Sequence, residues 1–467
     1  MSAGLRPYPS YRHSRLPWLG SVPQHWEIPR LKSLVRNAVE SEAERQDSDL
    51  YVALEHVESW TGRIRRADAD VVFDSQVKRF RAGDILFGKL RPYLAKVARP
   101  ASDGVCVGEF LVLRPPASTA TAPYLEQLLR SKNIIDEVSA STFGAKMPRA
   151  DWTFLGGMRV CLPALMERTA IVRYLNHVDG RVRRYVHAKR RLIRLLEEQK
   201  QAVVHRAVAR GLDGSIPFKP SGISWLGDIP QHWEVRRAKY LFREVDERSI
   251  DGTEELLSVS HLTGVTPRSQ KNVTMFKAAS YVGHKLCQPD DLVVNTMWAW
   301  AGALGVSKRA GIVSPAYAVY RPTKPGDSIG EYTESLLRTR TYISNIICRS
   351  TGLQPSRLRL YPDQFFRLPI IQPPAEEQRR IVHFVQRETA DIHSAISRLE
   401  REIELLNEYQ TRLVADVVTG KLDVREAAAR LHDEEETDIG GDVELLEEAQ
   451  AERDCGDPGA VGEEALA

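Results

Sequence analysis

Residues 83 to 90, GDILFGKL, have the spacing of a phosphate-binding G-x-x-x-x-G-K loop, in which backbone amides and a lysine hold phosphates and a following hydroxyl holds magnesium. Leu90 stands where the hydroxyl belongs, and Ile85, Leu86 and Phe87 make the interior strand-like, so the segment reads as a strand and not a nucleotide site. The chain contains no Asp-Pro-Pro-Tyr or Asn-Pro-Pro-Phe tetrapeptide of the kind that holds a flipped base for amino-methylation, and no paired-carboxylate nuclease core in a strand context. His25 and His232 each sit in the phrase QHWE without a Ser or Cys partner, and read as structural groups beside Trp26 and Trp233. The cysteines Cys106, Cys161, Cys287, Cys348 and Cys455 are scattered, without a CxxC pair, so neither a disulfide framework nor a zinc site is supported. The expectation is a chain with no catalytic and no metal-binding residues.

What remains is the chemistry of binding. From Arg425 onward the chain holds 15 Asp or Glu and 3 Arg, while the preceding part holds 62 Lys or Arg against 47 Asp or Glu. A basic body suits a polyanion, because releasing counterions from phosphates supplies sequence-independent affinity. Charge alone does not separate this reading from simple solubility. There is no apolar run of about 18 residues to cross a bilayer, and the N-terminal residues lack the apolar core of a signal peptide. The expected location is the cytoplasm, with no membrane partner.

The elements that would position binding groups occur twice. WLGSVPQHWEIPRLKSLV at 18 to 35 is matched by WLGDIPQHWEVRRAKYLF at 225 to 242, an offset of 207. At the same offset RAGDIL at 81 to 86 matches QPDDLV at 288 to 293, which aligns Asp84 with Asp291, and GVCVGEFLVLRP matches GIVSPAYAVYRP. A period this long exceeds that of any solenoid and implies a duplicated domain. Between the anchors, 89 to 103 and 296 to 310 share almost nothing, so a common scaffold carries different surfaces. In the first copy, 50–57, 84–90, 105–115 and 157–163 read as strands and 121–140 as a helix; the second copy repeats the order, with its helix at 331–348.

A long apolar period follows each domain. Stepping by four and three from Ile171 passes Leu175, Val182, Leu192 and Leu196; from Ile381 it passes Val385, Ile392, Leu399 and Leu406. Neither stretch contains proline, so each predicts a helix of roughly 43 residues, about 65 Å long. The duplication requires the second helix to run back along the first, giving an antiparallel pair, and it also places the Trp18 phrase beside the end of the second helix near Gly420 and Leu422. The alternative is that each helix packs only on its own domain.

WLGxxPxHWE at the start of each half, then Leu162-Pro163 with Glu167 or Ile371 to Pro374 with Glu377, Gln378 and Ile381, leading into a long helix ending in GLD or GKLD, resembles the specificity subunit of type I restriction-modification enzymes. The likeness covers about residues 5 to 424; Leu165-Met166-Glu167-Arg168 departs from the usual Pro-to-Glu-Gln run, and the acidic tail lies outside it. The resemblance implies an α+β chain with two tandem mixed target recognition domains, separated by two long helices that form an antiparallel coiled coil, with a pseudo-twofold internal repeat. On that reading residues 1–165 form the first domain, 166–210 the first spacer helix, 211–374 the second domain, 375–420 the second helix, and 421–467 an acidic, disordered tail.

The implied function is DNA recognition without chemistry. Each domain would read one half of a split, asymmetric double-stranded target, and the helices would set the spacer and dock two modification subunits, joined by restriction subunits. S-adenosylmethionine, ATP and magnesium are expected on those partners and no cofactor on this chain. Specificity needs side chains that reach base edges, with Arg matched to guanine and Asn or Gln to adenine. The divergent segments offer Lys89, Arg91, Lys96, Lys146 and Arg149 in the first domain, and Asn295, Trp298, Trp300, Lys308, Arg309, Gln354, Arg357 and Arg359 in the second. Trp298 and Trp300 alternate in a strand-like run. The competing readings are a helical scaffold that binds only proteins and a self-contained restriction or modification enzyme.

Overall fold

The computed structural model describes residues 5–42, 50–65, 77–116, 121–142, 147–270, 280–324, 326, 329–352 and 358–431. They fall into two compact units, one within Met1–Lys189 and Glu400–Thr437, the other within Arg190–Leu399. Both mix helices with strands.

In the first unit the apolar run after Asp84 becomes the strand Ile85–Gly88, buried at every position, as expected of a strand covered on both faces. It lies between Phe110–Arg114 and Val97–Ala98, with Arg36–Ala38 at the far edge, in an antiparallel four-stranded sheet. A second sheet runs Ser41–Glu42, Val77–Phe80, Gly104–Val107, Leu50–Val52, the last pair being parallel. The single strand expected over 105–115 is therefore two strands in two sheets. The Lys78 ammonium holds the bend between them by donating to the carbonyls of Gly108 (3.1 Å) and Phe110 (2.8 Å).

The second unit repeats the first sheet. Phe242–Val245, Tyr317–Pro322, Leu292–Asn295 and Leu304–Val306 follow one another in the same order and sense. Its other strands pair two by two: Phe218–Pro220 with Asp228–Pro230, Leu257–Ser260 with Gly264–Pro267, Lys285–Cys287 with Gly311–Val313, and Glu234–Arg237 with Pro369–Gln372. The stretch 157–163, expected as a strand, makes only bridges, Glu27 to Leu162 and Arg30 to Arg159. Each helix expected after the sheet is broken once. Ser131 separates Thr121–Arg130 from Lys132–Ala140, and Thr339 separates Gly330–Leu337 from Arg340–Arg349. Both hydroxyls donate to the carbonyl three residues back, Leu128 at 2.6 Å and Leu336 at 2.8 Å, a local bond that competes with helix continuation.

The two long helices span Leu165–Arg210 and Ala375–Val418. Within the first unit the early part of one lies against the late part of the other in opposite directions: the Gln410 amide donates to Asp179 (2.7 Å), and Lys189 pairs with Glu402. Ile171, Leu175 and Val182 are buried there, and Leu406 is half-buried. In the second unit Ile381 and Ile392 are buried, while Val385, Leu399 and Leu196 are half-buried. Leu192 does not lie on the buried stripe; it is 46% exposed, and Ile193 is the half-buried neighbour. A straight helix drifts by about 20° per heptad from a strict seven-residue repeat, so three heptads counted from Ile171 leave Leu192 about 60° off the face.

Each long helix ends in a left-handed glycine, Gly211 (φ 78) and Gly420 (φ 79), seated on the tryptophan of a QHWE phrase. Gly211 faces Trp233, and Gly420 faces Pro23 and Trp26. The chain beyond Gly420 does not leave the fold at 421, where the tail was expected to begin. Val424 and Ala428 are buried in the first core, Arg425–Ala429 is helical, and the Arg425 guanidinium pairs with Asp423 (2.6 Å) and covers the Tyr8 ring. Apolar Val424 and Ala428 outweigh the surrounding charge because they complete a face of the core. Residues 432–467 lie outside the described residues.

Candidate nucleic-acid interface

In the first unit the strand Ile85–Gly88 runs out into Lys89, Leu90 and Arg91, and backbone bonds tie this segment to 148–150. The Ala150 amide donates to Lys89 (2.9 Å), the Arg91 amide to Pro148 (2.8 Å), and Leu90 bridges Arg149. A tight turn follows at Pro92–Leu94, flanked by Arg91 (φ 51) and Ala95 (φ 49). The loop 57–64, closed by a Val57–Ile64 bridge, arrives from the other side. Its Trp60 amide donates to Ala95 (3.4 Å), and its Gly62 packs so closely that a Cβ would stand 2.1 Å from the Val97 carbonyl oxygen. Three loops thus converge, and Trp60, Arg91, Tyr93, Met147 and Arg149 are exposed on them. Arg149 pairs with Glu109 at 3.0 Å. An exposed pair of this kind is worth at most about 1 kcal/mol, so exchanging it for a phosphate or base costs little.

Two of the candidates in this unit are half-buried. Lys96 is half-buried with its ammonium donating to the Leu54 carbonyl, and loss of solvation lowers its pKa; it holds the loop in place and is not a free contact. Lys89 is half-buried beside the strand end. Lys146 lies outside the described residues.

The second unit builds the same corner from different residues. Leu292–Asn295 leads to a turn at Ala299–Ala301, flanked by Trp298 and by Gly302 (φ 84). The Leu360 amide donates to Thr296 (2.9 Å), as Ala150 does to Lys89 in the first unit, and Arg359 pairs through its backbone with Thr351. Trp298 and Trp300 do not alternate on a strand. They lie in the turn, half-buried, with rings stacked 5.2 Å apart at 24°. Asn295 is 2% exposed and its side-chain oxygen accepts from the Met297 amide (3.2 Å), so it fixes the turn and does not face a base. Lys308 and Arg309 are exposed beyond the next strand, near Glu331 (3.2 Å) and Glu255 (3.6 Å). Arg359 is half-buried, and Gln354 and Arg357 lie outside the described residues.

Sequence reasoning passed over Trp60 and Tyr93. The signal for Tyr93 was the offset of 207, which aligns it with Trp300. Trp60 carried none, since only the folded loop brings it to Ala95.

No family model matches this chain. It is 26% identical over 167 residues to the type I restriction enzyme EcoDI specificity subunit of Escherichia coli, covering 35% of this chain and 36% of that one. It is 25% identical over 232 residues to the provisionally named type I restriction enzyme MjaX specificity subunit of Methanocaldococcus jannaschii, covering 46% and 52%. The curated relatives are type I restriction enzyme specificity subunits. The chain spans about a third and about half of their lengths in these matches. It also shares the fold of a chain in a structure concerned with complex assembly and conformational transition of the type I R-M system: TM-score 0.58, 19% identity, 86% of this chain and 99% of that one.

The interior of this specificity-subunit-like chain is built for rigidity. Arg114 forms a fork on buried Asp84 (3.0 and 2.8 Å) and reaches Glu40 (2.7 Å); Arg321 does the same with Asp291 (2.8 and 2.9 Å) and Glu247 (3.2 Å). His25 donates to Glu167 (3.0 Å) and His232 to Glu377 (2.6 Å), joining each QHWE phrase to the start of a long helix. Tyr124 donates to Val418 (3.1 Å) and Tyr332 to Val208 (3.0 Å), so each domain grips the end of a long helix. Burial pushes the thiols of Cys106 and Cys161 up to about 12 and that of Cys287 to about 11, so these are not thiolate nucleophiles at neutral pH. Among the described residues no group of His, Cys, Asp and Glu could hold a metal ion. No described helix is long and apolar enough to cross a membrane.

Proposed function

We propose that this chain is the DNA-reading specificity subunit of a type I restriction-modification complex, performing no chemistry itself. The observation that carries this reading is one scaffold used twice with different side chains at the same corner: Arg91 and Tyr93 in one unit stand where Trp298 and Trp300 stand in the other, beside an arginine common to both, Arg149 or Arg359. A duplicated frame with unlike surfaces suits a split, asymmetric double-stranded target. Phosphate contacts would supply affinity and base-edge contacts discrimination.

The two long helices act on this reading as an antiparallel coiled coil that sets the spacer between half-sites and docks two modification subunits. Those subunits would carry S-adenosylmethionine, and the restriction subunits ATP and magnesium. The test is selection from random duplexes by the full-length chain with the proteins that co-purify with it. Enrichment of a bipartite sequence, with affinity falling as salt rises, is the expected result. A chain that only scaffolds proteins would enrich nothing, and a self-contained modification enzyme would methylate DNA without partners.

A further inference from the structure

The non-glycine residues with left-handed backbone are Arg15, Trp60, Arg91, Ala95 and Asp290 among those described, and Trp60 (φ 67), Arg91 (φ 51) and Ala95 (φ 49) meet at one corner of the first unit. This conformation is strained for any residue with a Cβ and persists only where the surroundings over-determine it, which is a recurring property of binding sites. Here the amides of Arg91, Ala95 and Trp60 are all committed, to Pro148, Pro92 and Ala95 respectively. The second unit makes the equivalent turn without that strain, with Trp298 at φ −127 and glycine at 302. The left-handed turn at Ala95 is therefore common to both units, since Gly302 shares it (φ 84), whereas that at Arg91 is not demanded by the scaffold and belongs to what the first unit presents. Arg91 is exposed and, unlike Arg149, has no carboxylate partner among the described residues. Beside it Tyr93 is 49% and Trp60 38% exposed, large aromatic surfaces with no core to fill.

We propose that Arg91 reads a guanine in the half-site of the first unit, with Tyr93 and Trp60 flanking that contact and excluding water from it. A guanidinium fork fits guanine O6 and N7, and a backbone already fixed in the binding conformation loses less freedom on association. The inference rests on the DNA-reading function proposed above and adds to it the residue and the base.

The experiment is selection from random duplexes with the full-length chain and its co-purifying proteins, comparing wild type with Arg91→Lys, Arg91→Ala, Tyr93→Ala and Ala95→Gly. Ala95→Gly keeps the left-handed turn without its Cβ and serves as the control for folding. Wild type and Ala95→Gly should select a split sequence with a fixed G in one half. Arg91→Lys and Arg91→Ala should reduce the preference for that G by about 10- to 100-fold, the worth of a bidentate contact, and leave the other half unaltered. Tyr93→Ala should weaken preference at the same half only. If Arg91→Lys keeps the G preference, or Arg91→Ala selects the unchanged sequence with uniformly weaker binding, Arg91 touches phosphate only and the inference falls. If wild type itself selects no sequence, the DNA-reading function falls with it, which separates the two failures.

Discussion

Asp84 and Asp291 show how much a single aligned pair can hide. The sequence aligned them, yet their partners Arg114 and Arg321, and the Glu40 and Glu247 that those arginines also bond, lie at a distance in the chain and are brought together only through sheet pairing. Asp84 is 3% exposed, and its loss would leave the largely buried Arg114 guanidinium with the half-exposed Glu40 in place of a buried two-bond partner. Asp84→Ala should therefore destabilise by about 3–5 kcal/mol, read as a lower midpoint in chemical denaturation. Glu40 adds a pH dependence. The Arg114 hydrogen bond lowers its pKa below the ordinary 4.5, so its contribution is complete above that value and is lost as pH falls through the lower folded one. In Glu40→Gln this part of the acid destabilisation should vanish; an unchanged acid profile would remove Glu40 from the account.

At the scale of elements, the heptad count identified both long helices but not every residue on the buried face. Leu175 is 3% exposed and Leu192 is 46% exposed. Leu175→Ala should cost about 2–5 kcal/mol, whereas Leu192→Ala should stay within about 0.5 kcal/mol. Equal effects in thermal melts would mean that the stripe does follow the strict heptad. The helix ends differ in a similar way. A Cβ at Gly420 would stand 2.4 Å from the Pro23 side chain and 3.0 Å from Trp26, while at Gly211 the nearest atom is 3.2 Å away, on Trp233. Both substitutions to Ala carry about 1–2 kcal/mol of left-handed strain, and Gly420→Ala adds an overpacking cost of about 1–3 kcal/mol. Gly420→Ala should melt lower than Gly211→Ala.

For the whole molecule, the acidic C-terminal stretch supplies Val424 and Ala428 to the first core. Ending the chain after Leu431 should leave DNA affinity equal or higher, since the tail removed is acidic. Ending it after Asp423 removes buried Ala428 and the Arg425 contact with Tyr8, and should lower the melting temperature. If the long helices are the ruler, deleting matched heptads, 186–192 and 396–402, shortens each by about 10.5 Å. The selected half-sites should then keep their sequences with a spacer shorter by about three base pairs, at roughly 3.4 Å per pair. An unchanged spacer at normal affinity would show that something else measures the DNA.

The sequence by itself determined the duplication, the two long helices and the places where the copies diverge, because each is written in local spacing or in residues compared at a fixed offset. It also marked 89–103 and 296–310 as divergent, the stretches on which the two corners are built. Only the tertiary structure decided which of those residues are available. Asn295 and Lys96 satisfy internal backbone groups, Leu192 drifts off the helix stripe, and Val424 and Ala428 are drawn from an acidic stretch into the core. Trp60 reaches the corner through a loop that no local pattern announces. Burial and hydrogen bonding depend on residues distant in the chain, so side-chain exposure at the corner is a property of the packed units and cannot be read from spacing alone.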